Sequence, residues 1–158
     1  MITHESYISL ETAKLLKTAG FDWEVDTCYI DGDLHKYSTN FNWNLPRDQF
    51  EKEGSDNLFH HFINQNSNNS VFESAPTLAV VQTWLREVKN IEVETTWYIP
   101  LEKGLQEDFQ KRKYDYNIQT GIEYSNYGDA MNEFNTYDEA LESGIKKALK
   151  LVNVHKRD

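Results

Sequence analysis

The segment NTYDEALESGIKKALKLV, residues 135–152, carries the clearest helical pattern in the chain. Thr136 and Glu139 have the spacing of a capping box, in which the threonine hydroxyl accepts a hydrogen bond from the N3 amide. Apolar residues recur every three or four positions and predict one buried stripe on a helix over 137–152. The stripe comprises Tyr137, Ala140, Leu141, Ile145, Ala148, Leu149 and Val152. Gly144 lies on the same side, where it favours close approach to a sheet.

The segments before this helix predict another helix and two paired strands. SAPTLAVVQTWLREVKN predicts a helix near 76–89 with Pro76 in its first turn. Its buried stripe is Leu78, Val81, Leu85 and Val88, with Trp84 beside it. Residues 91–99 and 114–124 alternate apolar or aromatic side chains with polar ones, which is the period of a half-buried strand. We therefore expect an antiparallel hairpin near 91–125.

The N-terminal part of the chain predicts a similar set of elements. Ser9 is a good N-cap and Gly20 a good C-terminal residue for a helix near 9–19. The Asp31-Gly32 dipeptide suits a type I′ turn, because both of its residues tolerate positive φ. Residues 23–38 are therefore predicted to form a second hairpin.

Together these patterns predict an α+β fold, in which an antiparallel sheet built from the two hairpins carries the three helices on one face. At 158 residues the chain has the length of a single domain over 1–158. Residues 40–75 are rich in asparagine and serine and are predicted to form an irregular insertion or arm. Within this segment, the apolar spacing of residues 58–63 favours one short helix.

The composition argues against several classes of protein. Hydrophobic residues make up 39% of the chain and charged residues 27%, which is the balance of a folded protein. The formal net charge of −10 opposes general binding of DNA or RNA, because phosphate contacts supply most of that affinity. No apolar run approaches the ~20 residues of a membrane helix, and the N-terminus lacks a signal-peptide pattern. Cys28 is the single cysteine, so we expect no disulfide and a cytoplasmic location.

Candidates for catalysis or metal binding are few. His60 and His61 are the first of them, but neighbouring residues of a helix point about 100° apart and cannot clasp one ion. His4 and His35 add imidazoles without the spacing of a zinc motif. The phosphate-binding and serine-hydrolase motifs are absent from the sequence. The sequence therefore assigns no catalytic residue, no cofactor and no metal ligand.

Four other features have both a chemical and a structural interpretation. Cys28 is expected to be a buried apolar group, because the sequence identifies no base that would activate its thiol. Residues 31–33 resemble part of a calcium loop, but the rest of that motif is missing and a tight turn accounts for them. Lys111-Arg112-Lys113 either contacts a phosphate or forms a solvated loop end. Trp97, Tyr114, Tyr116 and Tyr124 form either a stacking platform or core and cross-strand pairs.

Two segments resemble known sequences. APTLAVVQTWLREVKNIEVE, residues 75–94, and YDEALESGIKKALKLV, residues 137–152, resemble uncharacterised small proteins of gut-bacterial genomes and prophages. Those proteins combine an A-P-T…W-L-R-E-V helix with a Y-x-E-A-L-E-x-G-I…A-L-x-L helix, and the resemblance implies no particular activity. The closing helix is also similar to that of HicB-type antitoxin domains, in which a small sheet precedes it. Neither resemblance supplies a functional residue.

Three functions are compatible with these features. The first is a non-catalytic cytoplasmic accessory protein, borne by a phage or another mobile element, that binds another protein. The second is a small enzyme with His60 or His61 as base, in a site between residues 40–75 and the sheet. The third is an acidic inhibitor of a nucleic-acid-binding protein, with Glu92 and Glu94 on one solvent-exposed strand face. We favour the first, because the sequence carries none of the catalytic signatures.

Overall fold

The computed structural model describes residues 5–46, 49, 70–100, 112–121 and 132–155. In these ranges the chain has three helices, α1 (Leu10–Thr18), α2 (Leu78–Lys89) and α3 (Tyr137–His155). Its strands there are β1 (Val25–Ile30), β2 (Asp33–Phe41), β3 (Phe72–Ser74), β4 (Ile91–Tyr98) and β5 (Lys113–Thr120). The α+β class, the three predicted helices and the two predicted hairpins are confirmed.

The chain forms two compact units, Ser9–Pro76 and a second one that joins Met1–Ile8 to Thr77–Asp158. We call them the three-stranded unit and the hairpin unit. In the three-stranded unit the strand order is β2-β1-β3, and β1 pairs antiparallel with both neighbours. In the hairpin unit β4 and β5 form a separate antiparallel sheet. The two hairpins therefore lie in different sheets rather than in one, and the three helices are divided between them, α1 in the three-stranded unit and α2 and α3 in the hairpin unit.

Both ends of α1 are held by the contacts that its sequence predicts. The Ser9 hydroxyl accepts a hydrogen bond from the Thr12 amide at 3.3 Å. Gly20 has a φ of 91°, and the Phe21 amide donates to the Leu16 carbonyl at 3.2 Å. This is the geometry of a Schellman motif, in which the two apolar side chains that flank the turn pack together. Leu16 and Phe21 are both buried.

The core of the three-stranded unit contains parts of the segment predicted to be irregular. Trp43 is fully buried, and its indole N–H donates to the Val25 carbonyl at 2.8 Å. Its ring packs against Tyr37 and Phe41, with centroids 5.1 and 5.2 Å away. The sequence patterns missed β3, because a strand of three residues is too short to show a period. The helix predicted for 58–63 lies outside the described residues.

α2 and α3 pack on the apolar face of the β4–β5 hairpin. Ile91, Val93 and Ile118 share that face and are buried. A Cβ atom added to Gly144 would lie 2.7 Å from Val93 Cγ1 and 3.0 Å from Tyr116 Cγ. Real Cβ atoms do not approach other atoms so closely. Only a residue without a side chain therefore allows α3 to pack this close to the hairpin. The predicted role of Gly144 is confirmed.

α3 begins with the predicted cap in a slightly altered form. The Thr136 hydroxyl accepts a hydrogen bond from the Glu139 amide at 3.2 Å. The Glu139 carboxylate accepts from the Asn135 amide at 3.3 Å, one residue before the position that a standard capping box uses. Both hydrogen bonds satisfy amides at the start of the helix.

Three side chains on predicted apolar faces lie at the surface instead. Val88, Trp97 and Tyr137 are 50%, 53% and 46% exposed. Each sits near the end of its element, beyond the area that the neighbouring element covers. Trp84, predicted beside the α2 stripe, is fully buried. Pro76 also lies outside α2, because Thr77 is the N-cap and accepts from the Val80 amide.

The contact at Gly144 predicts the effect of one added methyl group. Gly144→Ala should lower the free energy of unfolding by about 1–2 kcal/mol, because overpacking costs about 1–3 kcal/mol and outweighs the helix propensity gained. Urea denaturation followed by circular dichroism measures the change. Lys150→Ala, at an exposed position of the same helix, is the control and should stay within about 0.5 kcal/mol of the wild type. A Gly144→Ala protein as stable as the wild type would contradict the proposed close packing.

Candidate functional site

An aromatic and cationic cluster lies at the surface of the hairpin unit, near the end of β4. We call Trp97, Arg112, Tyr114 and Tyr137 the Trp97 cluster. Trp97 and Tyr114 are direct cross-strand partners in β4 and β5. The guanidinium carbon of Arg112 lies 4.4 Å from the centroid of the Trp97 ring. The rings of Tyr114 and Tyr137 meet edge to face, with centroids 6.4 Å apart.

Three elements place these side chains together. Strand alternation puts Trp97 on the same face of the hairpin as buried Val93, four residues earlier. α3 covers the Val93 end of that face, and Tyr137 is its first residue. The helix therefore reaches Tyr114 with one exposed ring and leaves Trp97 half exposed.

Arg112 contacts the ring of Trp97 through its guanidinium group. Its Nε atom is buried and has no hydrogen-bond partner within the described part of the chain. The guanidinium carbon lies over the Trp97 ring at a distance that makes a cation–π interaction. Lys113, the next cation along the chain, donates to Asn135 Oδ1 at 2.6 Å. Of the predicted basic cluster, Lys111 lies outside the described residues.

The opposite face of the hairpin is polar and carries more acidic than basic strand residues. Arg86 donates to Glu92 from Nε at 2.6 Å and from Nη2 at 2.9 Å. These hydrogen bonds, together with the charge of Glu92, raise the pKa of Arg86 above its usual range. Glu94 is exposed on the same strand face. Because Arg86 neutralises Glu92, only Glu94 of the predicted acidic pair presents an uncompensated charge.

Tyr98 is the last residue of β4 and lies on this polar face. Burial raises the pKa of its hydroxyl above the usual range, and the charges of Glu133 and Asp115 raise it further. The hydroxyl donates to the Asn132 carbonyl at 3.4 Å. Asp115 and Glu133 thus place negative charge near Tyr98, whose cross-strand partner is the cation Lys113.

A small polar cavity of about 200 Å³ lies at the other end of the hairpin. Its lining consists of Arg86, Asn90, Ile91, Glu92, Gln119, Thr120 and Gly121. The only charges among these side chains are the Arg86–Glu92 ion pair, whose members satisfy one another. This cavity therefore offers polar contacts but no poised nucleophile or base.

The histidines predicted as first candidates are not brought together by the described structure. His4, His60 and His61 lie outside the described residues, as does Tyr124 of the predicted aromatic platform. His35 is exposed on β2, with its ring stacked 6.3 Å from that of Tyr37. In the described ranges, no group of three or more His, Cys, Asp or Glu side chains is arranged to hold a metal ion.

Cys28 and the Asp31-Gly32 turn have the structural roles that the sequence predicts. Cys28 is fully buried in β1. Burial, and secondarily the charge of Glu73, raises the pKa of its thiol from 9.0 to about 12. Asp31 and Gly32 have φ values of 49° and 89°, as a type I′ turn requires. Neither feature is therefore arranged for catalysis.

Sequence reasoning missed two members of the Trp97 cluster. The helical period predicts Tyr137 in the buried stripe of α3, and the sequence predicts either a solvated loop end or a phosphate contact for Arg112. Each of these two residues lies at the boundary of an element: Tyr137 begins α3, and Arg112 directly precedes β5. Side chains at such boundaries are often left uncovered by the neighbouring element, and this position was the signal in the sequence. Tyr116, predicted with Trp97 and Tyr114, packs instead against α3 and Phe134.

The chain matches no protein-family model, no curated protein and no solved structure. None of the helices in the described part of the chain combines the length and the apolar character that a membrane crossing requires. The geometry of the Trp97 cluster is therefore the basis for inferring a function.

The burial of Cys28 predicts an unreactive thiol and a loss of stability in alkali. A pKa of about 12 instead of 9.0 lowers the thiolate fraction at pH 8 roughly 1000-fold, so a disulfide reagent should label the native protein far more slowly than the unfolded chain. Because the folded protein holds this proton more tightly, the stabilising contribution is complete below pH 9 and is lost as the pH rises to about 12.

Chemical denaturation of the wild type and of Cys28→Ala, compared between pH 8 and pH 11, measures that contribution. The stability difference between the two proteins should shrink as the pH rises. Rapid labelling of the native wild type at pH 8, at the rate seen in denaturant, would show that the thiol is accessible.

Proposed function

We propose that this chain is a non-catalytic, cytoplasmic accessory protein that binds another protein through the Trp97 cluster. The observation that carries the proposal is the exposure of Trp97 and Tyr137 on one surface, with the Arg112 guanidinium carbon 4.4 Å from the centroid of the indole. Tryptophan, tyrosine and arginine are the residue types that dominate the energetics of protein interfaces. The proposed cytoplasmic location rests on the lone cysteine, which is buried as a free thiol.

The cluster is ordered before any partner arrives, which favours binding. Trp97 is held by Arg112 on one side and paired with Tyr114 across the strands. Tyr137 extends from the first turn of α3, where the helix backbone fixes its direction. Large aromatic side chains that are already fixed lose little conformational entropy on binding, so more of the contact energy appears as affinity.

The polar cavity gives less support to an enzyme than the cluster gives to an interaction protein. Its two charged residues, Arg86 and Glu92, neutralise each other through a pair of hydrogen bonds. The same pairing argues against an acidic inhibitor of a nucleic-acid-binding protein. Because Arg86 neutralises Glu92, only Glu94 of the predicted acidic pair could imitate a phosphate charge. We therefore rank partner binding first.

The proposal predicts that single changes in the cluster weaken partner binding without unfolding the protein. Trp97→Ala should weaken binding by about 2 kcal/mol or more, roughly 30-fold in Kd, because central tryptophans dominate interfaces. Arg112→Lys keeps the charge but loses the planar stacking, and should weaken binding by about 1 kcal/mol. Affinity capture from a lysate of the native host, followed by mass spectrometry, identifies the partner, and calorimetry with the purified partner measures Kd.

Val88→Ala is the matched control, because Val88 is also an exposed apolar side chain of the hairpin unit and lies on α2. It should bind the partner with the wild-type Kd. Thermal unfolding checks that every variant is folded, and Trp97→Ala should lose no more than about 1 kcal/mol of stability because the side chain is half exposed. A partner that binds Trp97→Ala and Val88→Ala equally well would refute the assignment of the surface.

A further inference from the structure

β4 has an outer edge beside the Trp97 cluster. In the hairpin unit the described strands have the order β4-β5, so β4 has one strand neighbour among them. An unpaired strand edge presents backbone N–H and C=O groups that another extended chain can bond. The residues that face this edge decide which kind of chain fits it.

The hydrogen bonds of the hairpin identify those residues. In an antiparallel pair, residues alternate between those whose backbone groups bond the neighbouring strand and those whose groups point away from it. The Gly121 amide donates to the Asn90 carbonyl at 3.2 Å, so this pair bonds across the ladder. Alternation from Asn90 turns the backbone groups of Val93, Thr95 and Trp97 towards the outer edge.

Two further sets of contacts agree with this assignment. The Val93 carbonyl accepts a hydrogen bond from Gln82 Nε2 of α2 at 2.6 Å, on the side away from β5. Tyr114, the cross-strand partner of Trp97, exchanges two backbone hydrogen bonds with Phe134 at 2.9 and 3.0 Å. Those bonds lie on the far side of β5, so the Trp97–Tyr114 pair is one that does not bond across the ladder.

The edge is satisfied at one end and open at the other. Gln82 caps it at Val93. The backbone groups of Thr95 and Trp97 have no hydrogen-bond partner in the ranges that the structure describes. Glu94, Thr96 and Trp97 are exposed side chains in the same stretch. The open part of the edge thus lies directly beside the exposed indole.

Charge on the two faces restricts the side chains of a chain that pairs there. Glu94 and Trp97 are three positions apart, so their side chains lie on opposite faces of the strand. On the Glu94 face, Arg86 and Glu92 neutralise each other, and Glu94 and Asp115 outnumber the one remaining cation of the strands, Lys113. A neighbouring strand places side chains about 5 Å from these residues. A basic side chain beside Glu94 and an aromatic or apolar one beside Trp97 complement the edge.

We infer that the partner contributes an extended segment that adds as a strand to the outer edge of β4, with a basic side chain beside Glu94 and an apolar or aromatic one on Trp97. This inference rests on the proposed function and specifies the partner's chemistry. Backbone hydrogen bonds to Thr95 and Trp97 supply general affinity, and the two flanking side chains supply selectivity. Strand addition of this kind requires no rearrangement of the described hairpin.

The test uses the full chain and peptide probes. Random twelve-residue peptides displayed on phage are selected on the immobilised protein at low ionic strength, and the enriched sequences are synthesised. Amide hydrogen exchange of the protein, read by NMR, is then compared with and without each peptide. The amides of Thr95 and Trp97 should gain at least tenfold protection, whereas the Thr96 amide, which already bonds to β5, should change little.

Variants separate backbone pairing from side-chain contact. Thr95→Pro removes an amide that points outward and leaves the ladder to β5 complete, so it should weaken peptide binding at least tenfold. Thr95→Ala keeps the amide and should bind like the wild type. Glu94→Gln should weaken the enriched peptides roughly two- to fivefold and reduce the salt dependence of binding. If Thr95→Pro fails to fold, the exchange pattern of the wild type still decides the question.

The remaining outcomes distinguish this inference from the proposed function. Enriched peptides that need Trp97 but leave the Thr95 and Trp97 amides unprotected would overturn strand addition and leave the interaction surface standing. Peptides that bind equally well to the wild type and to Trp97→Ala would refute both. Failure to enrich any peptide, enrichment of acidic peptides, or protection confined to β2 would overturn the inference. Protection that appears with protein concentration alone would assign the edge to a second copy of the chain.

Discussion

The close contact between Gly144 of α3 and Val93 of β4 is the constraint on which the hairpin unit depends. A two-stranded hairpin is marginally stable in water, so β4 and β5 need a helix to bury their apolar face. The absent side chain of Gly144 lets α3 lie directly on Val93 and Tyr116. This contact fixes where the helix runs over the hairpin, and thereby decides which strand residues are covered and which remain at the surface.

The Trp97 cluster follows from the length of α3 relative to the hairpin. The helix begins at Tyr137, which reaches Tyr114 but leaves Trp97 half exposed. A half-exposed tryptophan contributes less hydrophobic stabilisation than a fully buried one. Arg112 adds a cation–π contact with the ring, which remains 53% exposed. A fold that leaves a large apolar ring ordered and accessible has a surface suited to a partner.

The same end of the hairpin combines an ordered aromatic surface, a strand edge and an acidic face. Each alone is common in proteins: strand edges are generic, acidic faces keep proteins soluble, and single exposed apolar residues are ordinary. Because they lie within a few residues of one another in β4, a single partner has to match all three: the strand edge, the acidic side chain and the aromatic ring. Backbone pairing is insensitive to sequence, so discrimination between partners falls to Glu94 and Trp97.

Short-range patterns predicted the local structure well and the contents of the site only in part. The Ser9 cap, the Gly20 termination, the Asp31-Gly32 turn and the Gly144 contact were predicted correctly, because each depends on residues close in sequence or on a steric property of glycine. β3 and the burial of Trp43 were missed, because they depend on pairing and packing with segments far along the chain. Trp97 and Tyr114 were recognised as candidates, but two of the cluster's four residues were not.

The sequence by itself determined the α+β class, the periods of the helices and strands, and the positions of the caps and turns. Tertiary structure alone decided that the two hairpins belong to separate sheets and that Arg112 stacks on Trp97. It also decided that the exposed aromatic surface lies at the end of β4. The physical reason is that burial depends on where a neighbouring element stops, and the period of a strand or helix contains no information about the extent of its neighbours.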